Sequence, residues 1–444
     1  MSVTVRFAPS PTGLLQAGNG RAAILNCLFA LKSSGRFLLR IDDTDVARSH
    51  AEYEEAILTD LAWLGIGHDL FARQSDRIDE YRAAAERLKA SGRLYACYET
   101  ADELERKRRL RIAQKKPPVY DRASLSLSDA KRAEFEAQGR RPHWRFKLSQ
   151  KMIGWTDLIR GEIGIDTGTV SDPVLIREDG QFLYTLPSVF DDISFGISHI
   201  IRGEDHVTNT AAQIEIFEAL GVSPPLFAHF PLFVTAEGAA LSKRMGSLSL
   251  KALREEGIEP LALAAYLAKI GTSDAVEPRN SLAELAHEFS FDHIGRAPAR
   301  FSEDELKHLN TRFLHGLGWT DVAPRLAEMG ITDPRFWEAA RSNVERMSDC
   351  LPIWHMVEGP VTPQLEQLDL LEKAAATLPP EPWDESTWNS WTARIKDATG
   401  AKGRDLFHPL RLALTGSAVG PELRKVLPLI GRAKVLARLR GKIA

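Results

Sequence analysis

The sequence predicts an α/β fold: a parallel sheet interrupted by a long inserted segment and followed by an all-helical C-terminal third. Three observations carry this. Strand and helix signals alternate from Val3 to Leu64, a buried strand and helix return near Ile197 after an irregular stretch, and past about Leu250 the periodicity is almost wholly helical.

Val3–Phe7 is a short β-prone run, broken by the Pro-Ser-Pro-Thr-Gly stretch at Pro9–Gly13. Arg21–Leu31 is apolar all round and closed by Gly35, as a buried helix would be. Phe37–Ile41 reads as a second buried strand, and Ser49 with Glu52 predicts a capping box at the head of a helix reaching Leu64. Thr100 with Glu103 predicts another box, opening a basic helix that Pro117 and Pro118 stop. From there to about Gly180 the pattern is irregular and strand-rich, with strands expected at Trp144–Leu148, Gly161–Asp166 and Val174–Arg177. Ile197–Ile201 returns to a buried strand and Thr210–Leu220 to a helix. Ser302 with Glu305 predicts a further box, and a Leu-rich helical tail runs from Leu423 to Leu439. There is no internal repeat and no low-complexity segment.

At 444 residues the chain suits roughly two to four domains of about 100 to 200 residues. Its 44% hydrophobic and 26% charged content is that of a globular protein, outside the composition of disorder. The longest apolar runs, near Ile193–Ile201 and Leu261–Ala268, are half of the roughly 18 residues a membrane helix needs. The opening MSVTVRFAPS has neither a basic nor a greasy leader pattern, so a cytoplasmic location is expected. Cys27, Cys97 and Cys350 are far apart and unpaired by spacing; each reads as a small buried apolar residue, and neither a disulfide framework nor a zinc site is expected. The 57 basic and 60 acidic side chains nearly cancel, which argues against a nonspecific polyanion binder. Charge is nevertheless clustered: seven basic residues and no acid lie between Arg106 and Lys116, and seven against a single acid between Glu422 and Ala444. Such stretches suit either a solvated helix face or the positioning of a nucleic acid through its phosphates.

The loop Pro9–Asn19 sits between a buried strand and a buried helix, with Gly13 and Gly18 able to let backbone approach a ligand. A helix N-terminus there would hold a phosphate through its free N–H groups. Taken alone, such a loop is better read as an ordinary turn. Five motifs in order change the reading: RFAPSPTG at Arg6–Gly13, RIDDTD at Arg40–Asp45, DPVLIR at Asp172–Arg177, RGEDHVTNT at Arg202–Thr210 and LSKR at Leu241–Arg244. Together they resemble the bacterial glutamyl-tRNA synthetases, and RDLFHPLRLALTG at Arg404–Gly416 resembles that family's anticodon-binding region.

The resemblance implies a class I aminoacyl-tRNA synthetase with a Rossmann-like parallel sheet, an inserted acceptor-binding domain and an all-α C-terminal anticodon-binding region. It implies the reaction too: glutamate is joined to AMP and then moved to the terminal adenosine of tRNA, with activation dependent on tRNA. ATP would be held by Pro9, Ser10, Pro11, Thr12, Gly13, Gly18 and Asn19 and by Leu241, Ser242, Lys243 and Arg244. Lys243, with Gln16 and Asn19, would act on the phosphates during the chemical step. Arg202 would read the side-chain carboxylate with help from Arg6, Asp42 would receive the α-ammonium, Ala8 and Ser10 would supply close contacts, and Tyr184 would close the pocket. Magnesium is expected to arrive with ATP, and no dedicated metal cage or zinc is expected. Glu204, Asp205 and His206 also admit a metal-ligand reading, set aside because Asp205 and His206 are adjacent and diverge on a strand.

Two positions depart from the family pattern. Gln16 stands where the first signature usually has His, and Ala240 replaces the first lysine of the second signature. A catalytically weakened or silent tRNA-binding relative is therefore one alternative, and a glutaminyl-tRNA synthetase, disfavoured by Arg202, is another. The expected organisation is a catalytic domain in two halves, 1–98 and 191–235, an acceptor-stem-binding insertion at 99–190, a stem-contact domain at 236–313 and a helical anticodon-binding domain at 314–444. The expected partners are glutamate and tRNA(Glu), with tRNA(Gln) left open as a second acceptor, no membrane, and a monomeric chain.

Overall fold

Thr4–Phe7 (β1), Ala17–Lys32 (α1), Arg36–Ile41 (β2), Ala51–Trp63 (α2), Leu70–Arg73 (β3) and Ile78–Ala90 (α3) open the fold in the computed structural model of the chain. Residues 2–235, 238–239 and 248–444 are described. β1, β2 and β3 form a parallel sheet in that order. Every residue of β1 and all but the first of β2 are buried, so both faces need apolar cover. α1 supplies it through Ala23, Ile24, Leu25 and Leu28, which explains why its sequence is apolar all round. The capping box expected at Ser49 and Glu52 does not form: His50 is the N-cap of α2, and the Ser49 hydroxyl is buried without a hydrogen-bond partner.

The chain then leaves the sheet. Leu94–Cys97 (β4), Ala101–Ala113 (α4), Asp129–Ala137 (α5), His143–Phe146 (β5), Met152–Asp157 (β6), Gly161–Asp166 (β7) and Val174–Ile176 (β8) follow. β4, β5 and β8 form a small antiparallel sheet, and β6 and β7 an antiparallel hairpin. The box heading α4 does form, with the Thr100 N–H donating to Glu103 Oε2 at 2.8 Å and the Glu103 N–H to Thr100 Oγ1 at 3.3 Å.

Thr185–Ser194 (α6), His199–Gly203 (β9), Val207–Ala219 (α7), Leu226–Phe230 (β10) and Phe233–Val234 (β11) return to the sheet. β9 pairs in parallel with β10, and β10 with β6. β9 lies beside β1: the Ser198 N–H donates to the Thr4 carbonyl at 2.9 Å and the Thr4 N–H to Ser198 Oγ at 2.9 Å. The two sheets, β3-β2-β1 and β9-β10-β6-β7, thus meet edge to edge at β1 and β9. The chain runs outward from β1 to β3 and later outward again from β9, so β1 and β9 flank a topological switch point. Buried Glu215 on α7 ties the inserted segment down, accepting from the Ser149 N–H at 2.8 Å and from Arg93 at 2.7 Å. Leu250–Glu255 (α8), Pro260–Lys269 (α9), Leu282–Glu288 (α10) and Ala299–Arg300 (β12, parallel to β11) complete this unit, which spans Met1–Glu256 and Pro260–Glu303.

The second unit comprises Gly257–Glu259 and Asp304–Ala444. It is built from Glu303–Gly316 (α11), Trp319–Glu328 (α12), Pro334–Ala340 (α13), Cys350–Glu358 (α14), Leu368–Ala376 (α15), Glu385–Thr399 (α16), Arg404–Thr415 (α17), Leu423–Ile430 (α18) and Arg432–Leu439 (α19). The Leu-rich tail is two helices, because Gly431 at φ 79° breaks it. Trp337, Trp391 and Phe336 are fully buried, so these aromatics build core. Trp391 packs among Ile395, Leu410 and Leu414, and its Nε1–H donates to the Ala374 carbonyl at 3.0 Å. Trp391→Ala is expected to cost about 3–5 kcal/mol through the lost burial and the cavity left behind, read as a fall in the urea midpoint of this unit. The three cysteines are free and buried, as their isolation in the sequence predicts. Among the described residues no helix is long and apolar enough to cross a membrane.

Candidate active site

Side chains that leave the C-terminal ends of β1 and β9 face one another across the switch point. A cavity of about 770 Å³ opens there. Of the residues expected at the site, Arg6, Ala8, Pro9, Ser10, Thr12, Gly13, Gln16, Gly18, Asn19, Tyr184 and Arg202 line it. Pro11 and Asp42 do not. The Pro11 carbonyl accepts the His50 N–H at 3.0 Å, which places it at the back of the loop. Leu241, Ser242, Lys243 and Arg244, like Ala240, lie outside the described residues.

The loop after β1 is shaped by its own backbone, with the Thr12 N–H donating to the Ser10 carbonyl at 2.8 Å and the Asp42 N–H to the Pro9 carbonyl at 3.0 Å. It feeds directly into α1. Gln16 is the N-cap residue; its N–H donates to Asn19 Oδ1 at 3.2 Å and its Nε2 to the Leu14 carbonyl at 3.3 Å. No acidic residue occupies the first turn, so the positive end of the helix dipole faces the cavity uncancelled. A Cβ added to Gly13 or Gly18 would meet no atom within 4 Å. Both glycines line the cavity, so the backbone at the start of α1 is open to approach by a ligand, and free N–H groups at a helix start suit phosphate oxygens.

Across the cavity stand two buried arginines. Arg6 donates from Nε to Asp192 Oδ1 at 3.2 Å, and its Nη groups have no hydrogen-bond partner among the described residues. Arg202 donates from Nε to His229 Nε2 at 3.2 Å, from Nη1 to the Tyr184 hydroxyl at 3.3 Å, and from Nη2 to Thr210 Oγ1 and Gln213 Oε1 at 2.7 Å each. All four partners are neutral acceptors, and among the described residues Arg202 forms no ion pair. Burial accordingly pulls its pKa below the ordinary arginine value. A guanidinium held this way has no carboxylate in ion-pair contact among the described residues, with Asp192 acting on it only through space, and so remains available to an anionic ligand.

Asp42 is differently placed. Its carboxylate takes both Nε and Nη2 of buried Arg40, at 2.6 and 3.0 Å, within a cluster that also holds Asp191, Asp192 and Ser188. Burial pushes the Asp42 carboxyl up to about 6, against the pull of Arg40. The structure thus sets it behind the cavity wall.

Sequence reasoning missed part of the wall. Phe230–Phe233, which line the cavity after β10, carry no motif, and Arg21 was read only as a helix position. Arg21 is fully buried, donates to the Ile270 carbonyl at 2.8 Å and the Pro231 carbonyl at 3.3 Å, and lies 5.0 Å from the Phe233 ring, so it ties α1 to the segment after β10. Asp205 and His206 also line the cavity. His206 Nδ1 is buried and has no hydrogen-bond partner among the described residues. Glu204, the third member of the metal-ligand reading, is engaged by Arg160 at 2.5 Å. Among the described residues no group of three or more His, Cys, Asp or Glu side chains is placed to hold a metal ion.

Burial lowers the pKa of His143 and His206 to about 4 each and that of His199 and His229 below the ordinary range. The unfolded chain binds these protons near pH 6.5 and the folded chain does not, so their contribution to stability is complete above about pH 6.5 and is lost as pH falls toward 4. Unfolding in this window is expected to take up protons, and His206→Gln to reduce the uptake; the pH dependence of the urea unfolding free energy measures both.

The family described as tRNA synthetases class I (E and Q), catalytic domain, matches residues 2–308, and the family described as anticodon binding domain matches residues 359–443. The fold is therefore a Rossmann-like class I synthetase domain followed by an all-α anticodon-binding region. Glutamate–tRNA ligase 1 of Parvibaculum lavamentivorans is 56% identical over 98% of both chains, and glutamate–tRNA ligase of Azospirillum brasilense is 54% identical over the whole of both. The crystal structure of a glutamate tRNA ligase from Elizabethkingia meningosepticum in complex with its amino acid superimposes with a TM-score of 0.88 at 27% identity, covering 99% of each chain. The chain belongs to the bacterial glutamate–tRNA ligases.

Proposed function

We propose that the chain activates glutamate with ATP and transfers the glutamyl group to the 3′-terminal adenosine of tRNA(Glu). One observation carries the amino-acid assignment: Arg202 is buried, held only by neutral acceptors and directed at the cavity. A carboxylate supplies the ion-pair partner and accepts at both oxygens. The side-chain amide of glutamine would instead bring an N–H2 group against a surface made only of donors. Arg6, with its Nη groups unpartnered among the described residues, assists, and Tyr184 closes the pocket through its contact with Arg202.

In the first step an oxygen of the glutamate α-carboxylate attacks the α-phosphorus of ATP, the bond from that phosphorus to the bridging oxygen breaks, and diphosphate leaves. In the second a ribose hydroxyl of the terminal adenosine attacks the acyl carbon and AMP leaves. The loop with Gly13 and the α1 N-terminus receive the phosphates, with Asn19 and Gln16 as neutral donors beside them. Lys243 meets the phosphates as charge builds on their oxygens. In support, the described residues flanking its segment adjoin the cavity: Leu232 and Phe233 line it, and the Leu250 N–H donates to the Leu15 carbonyl at 2.8 Å. Magnesium bound with ATP would neutralise phosphate charge, and the proposed chemistry asks for no zinc.

The insertion at 99–190 holds the acceptor stem, residues 236–313 contact the stem, and the helices of 314–444 meet the anticodon, in a monomeric cytoplasmic enzyme. The test is charging of tRNA(Glu) and tRNA(Gln) transcripts with labelled glutamate and labelled glutamine. Glutamyl-tRNA(Glu) is the expected product, and glutamyl-tRNA(Gln) would add the second acceptor. Glutaminyl product from glutamine, or tight tRNA binding without any charging, would overturn the proposal.

A further inference from the structure

We infer that Asp157 and His229 form a buried positioning pair that holds the Arg202 guanidinium in its carboxylate-reading orientation and so sets the preference for an acidic amino acid over its amide. The inference rests on the proposed reading of Arg202.

An arginine can be oriented in two ways. A carboxylate beside it fixes the fork but consumes its charge; a neutral acceptor fixes the fork and leaves the charge for a ligand. Arg202 is held in the second way. Its Nε–H needs a lone pair on His229 Nε2, 3.2 Å away, so the His229 proton belongs on Nδ1. Asp157 enforces that tautomer, with Oδ2 at 2.6 Å from Nδ1. The other Asp157 oxygen, Oδ1, accepts the backbone N–H groups of His229, Ile159 and Arg160 at 3.2, 3.0 and 3.0 Å. Burial alone would raise the Asp157 pKa, but the bond from His229 and these backbone bonds hold it below the usual carboxylate range. The anion therefore stands behind the histidine, and the group touching Arg202 is uncharged.

The other neighbour of His229 Nε2 is Thr210 Oγ1 at 3.0 Å, which accepts from Arg202 Nη2 and donates its hydroxyl to the His206 carbonyl at 3.1 Å, so Nε2 keeps its lone pair for the Arg202 Nε–H. His229 is fully buried, its ring lying nearly parallel to Phe227 at 6.1 Å between centroids and 6.5 Å from Trp155. Neither His229 nor Asp157 lines the cavity, so neither touches the amino acid. With the opposite tautomer, or with both nitrogens protonated, an N–H would face the Nε–H of Arg202, and the fork would lose its anchor on that side.

The test uses steady-state kinetics on the full chain with tRNA. Asp157→Asn puts an amide donor in reach of His229 Nδ1 and favours the wrong tautomer. It is expected to raise the glutamate KM at least about tenfold and to lower the glutamate-to-glutamine ratio of kcat/KM by a similar factor, with kcat and the ATP KM changed by less than about threefold. His229→Asn, which keeps a donor for Asp157 and removes the acceptor for Arg202, is expected to do the same, whereas His229→Gln, which keeps an acceptor near Nε2, recovers most of the glutamate affinity. This pair decides the matter should Asp157→Asn not fold. In an Arg202→Ala background none of the three adds a further rise in glutamate KM. An unchanged glutamate KM in both Asp157→Asn and His229→Asn overturns the inference, as does a loss in which kcat and both KM values worsen together and His229→Gln rescues nothing, the mark of a merely structural role. If Arg202→Ala itself leaves the glutamate KM unchanged, the carboxylate reading falls first; if it raises that KM while the pair variants do not, only the positioning pair falls.

Discussion

Arg202→Ala lowers kcat/KM for glutamate by about 10³-fold, or about 4 kcal/mol, in the upper half of the roughly 2–5 kcal/mol that truncating one partner of a buried charge pair costs. The loss is expected in KM for glutamate more than in KM for ATP, because the proposed phosphate site at α1 is built without Arg202. Arg202→Lys does not restore it. A single ammonium cannot satisfy His229, Tyr184, Thr210 and Gln213 together while presenting a fork to the ligand, and the acceptors left over are buried. For the same reason Arg202→Ala gains no useful glutamine activity. Amino-acid-dependent exchange of labelled diphosphate into ATP, measured over a range of glutamate and ATP concentrations, separates these terms.

Lys243→Ala lowers the rate of adenylate formation by about 10²-fold or more, the scale for one preorganised donor aimed at developing charge. The described part of the cavity gives a reason to expect the upper end. Its basic residues are Arg6, Arg21, Arg202 and His206. Arg21 is spent on backbone carbonyls, Arg6 and Arg202 are assigned to the amino acid in the proposed function, and burial lowers the His206 pKa to about 4, which leaves it neutral. Gln16, in the place of the usual family histidine, has its side-chain amide folded onto the Leu14 carbonyl. On the proposed reading, the phosphates would draw their positive charge, apart from the N–H groups of α1, from Lys243, Arg244 and magnesium. Single-turnover formation of adenylate is the readout, with glutamate binding expected to be unchanged; near-normal turnover would remove Lys243 from the chemistry.

The parallel core was legible where patterning and burial coincide. β1, α1, β2, β9 and α7 lie where the apolar runs place them, and the Thr100–Glu103 box forms because that helix starts in solvent with its backbone free to be capped. Ser49 and Glu52 have the same spacing and make no box: the helix begins a residue later, after His50, whose N–H is held by the Pro11 carbonyl. Tertiary contact overrode a local signal there. β3 is four residues long and nowhere fully buried, and alternation in β6 is masked by Gly154, so neither announced itself.

At the site, most expected residues of the motifs after β1 and β9 line the cavity, because those motifs follow the ends of the two strands; Pro11 sits at the back of its loop, and the LSKR motif lies outside the described residues. Asp42 does not line it, since the arginine two residues before it claims both of its oxygens. The Asp157–His229 pair was invisible to any local reading. The two residues are 72 positions apart, on strands that become neighbours only when β10 pairs with β6, and an isolated histidine in an apolar run looks like core.

On the proposed reading, a buried guanidinium with no ion-pair partner among the described residues selects an acidic amino acid for adenylation. This selection is tested most directly by ATP–diphosphate exchange in the presence of tRNA, with glutamate or glutamine as the only amino acid. The account predicts exchange with glutamate that is at least about 10³-fold more efficient than with glutamine, falling toward the glutamine level in Arg202→Ala. Equal exchange with the two amino acids, or a glutamate preference that survives Arg202→Ala, would contradict it.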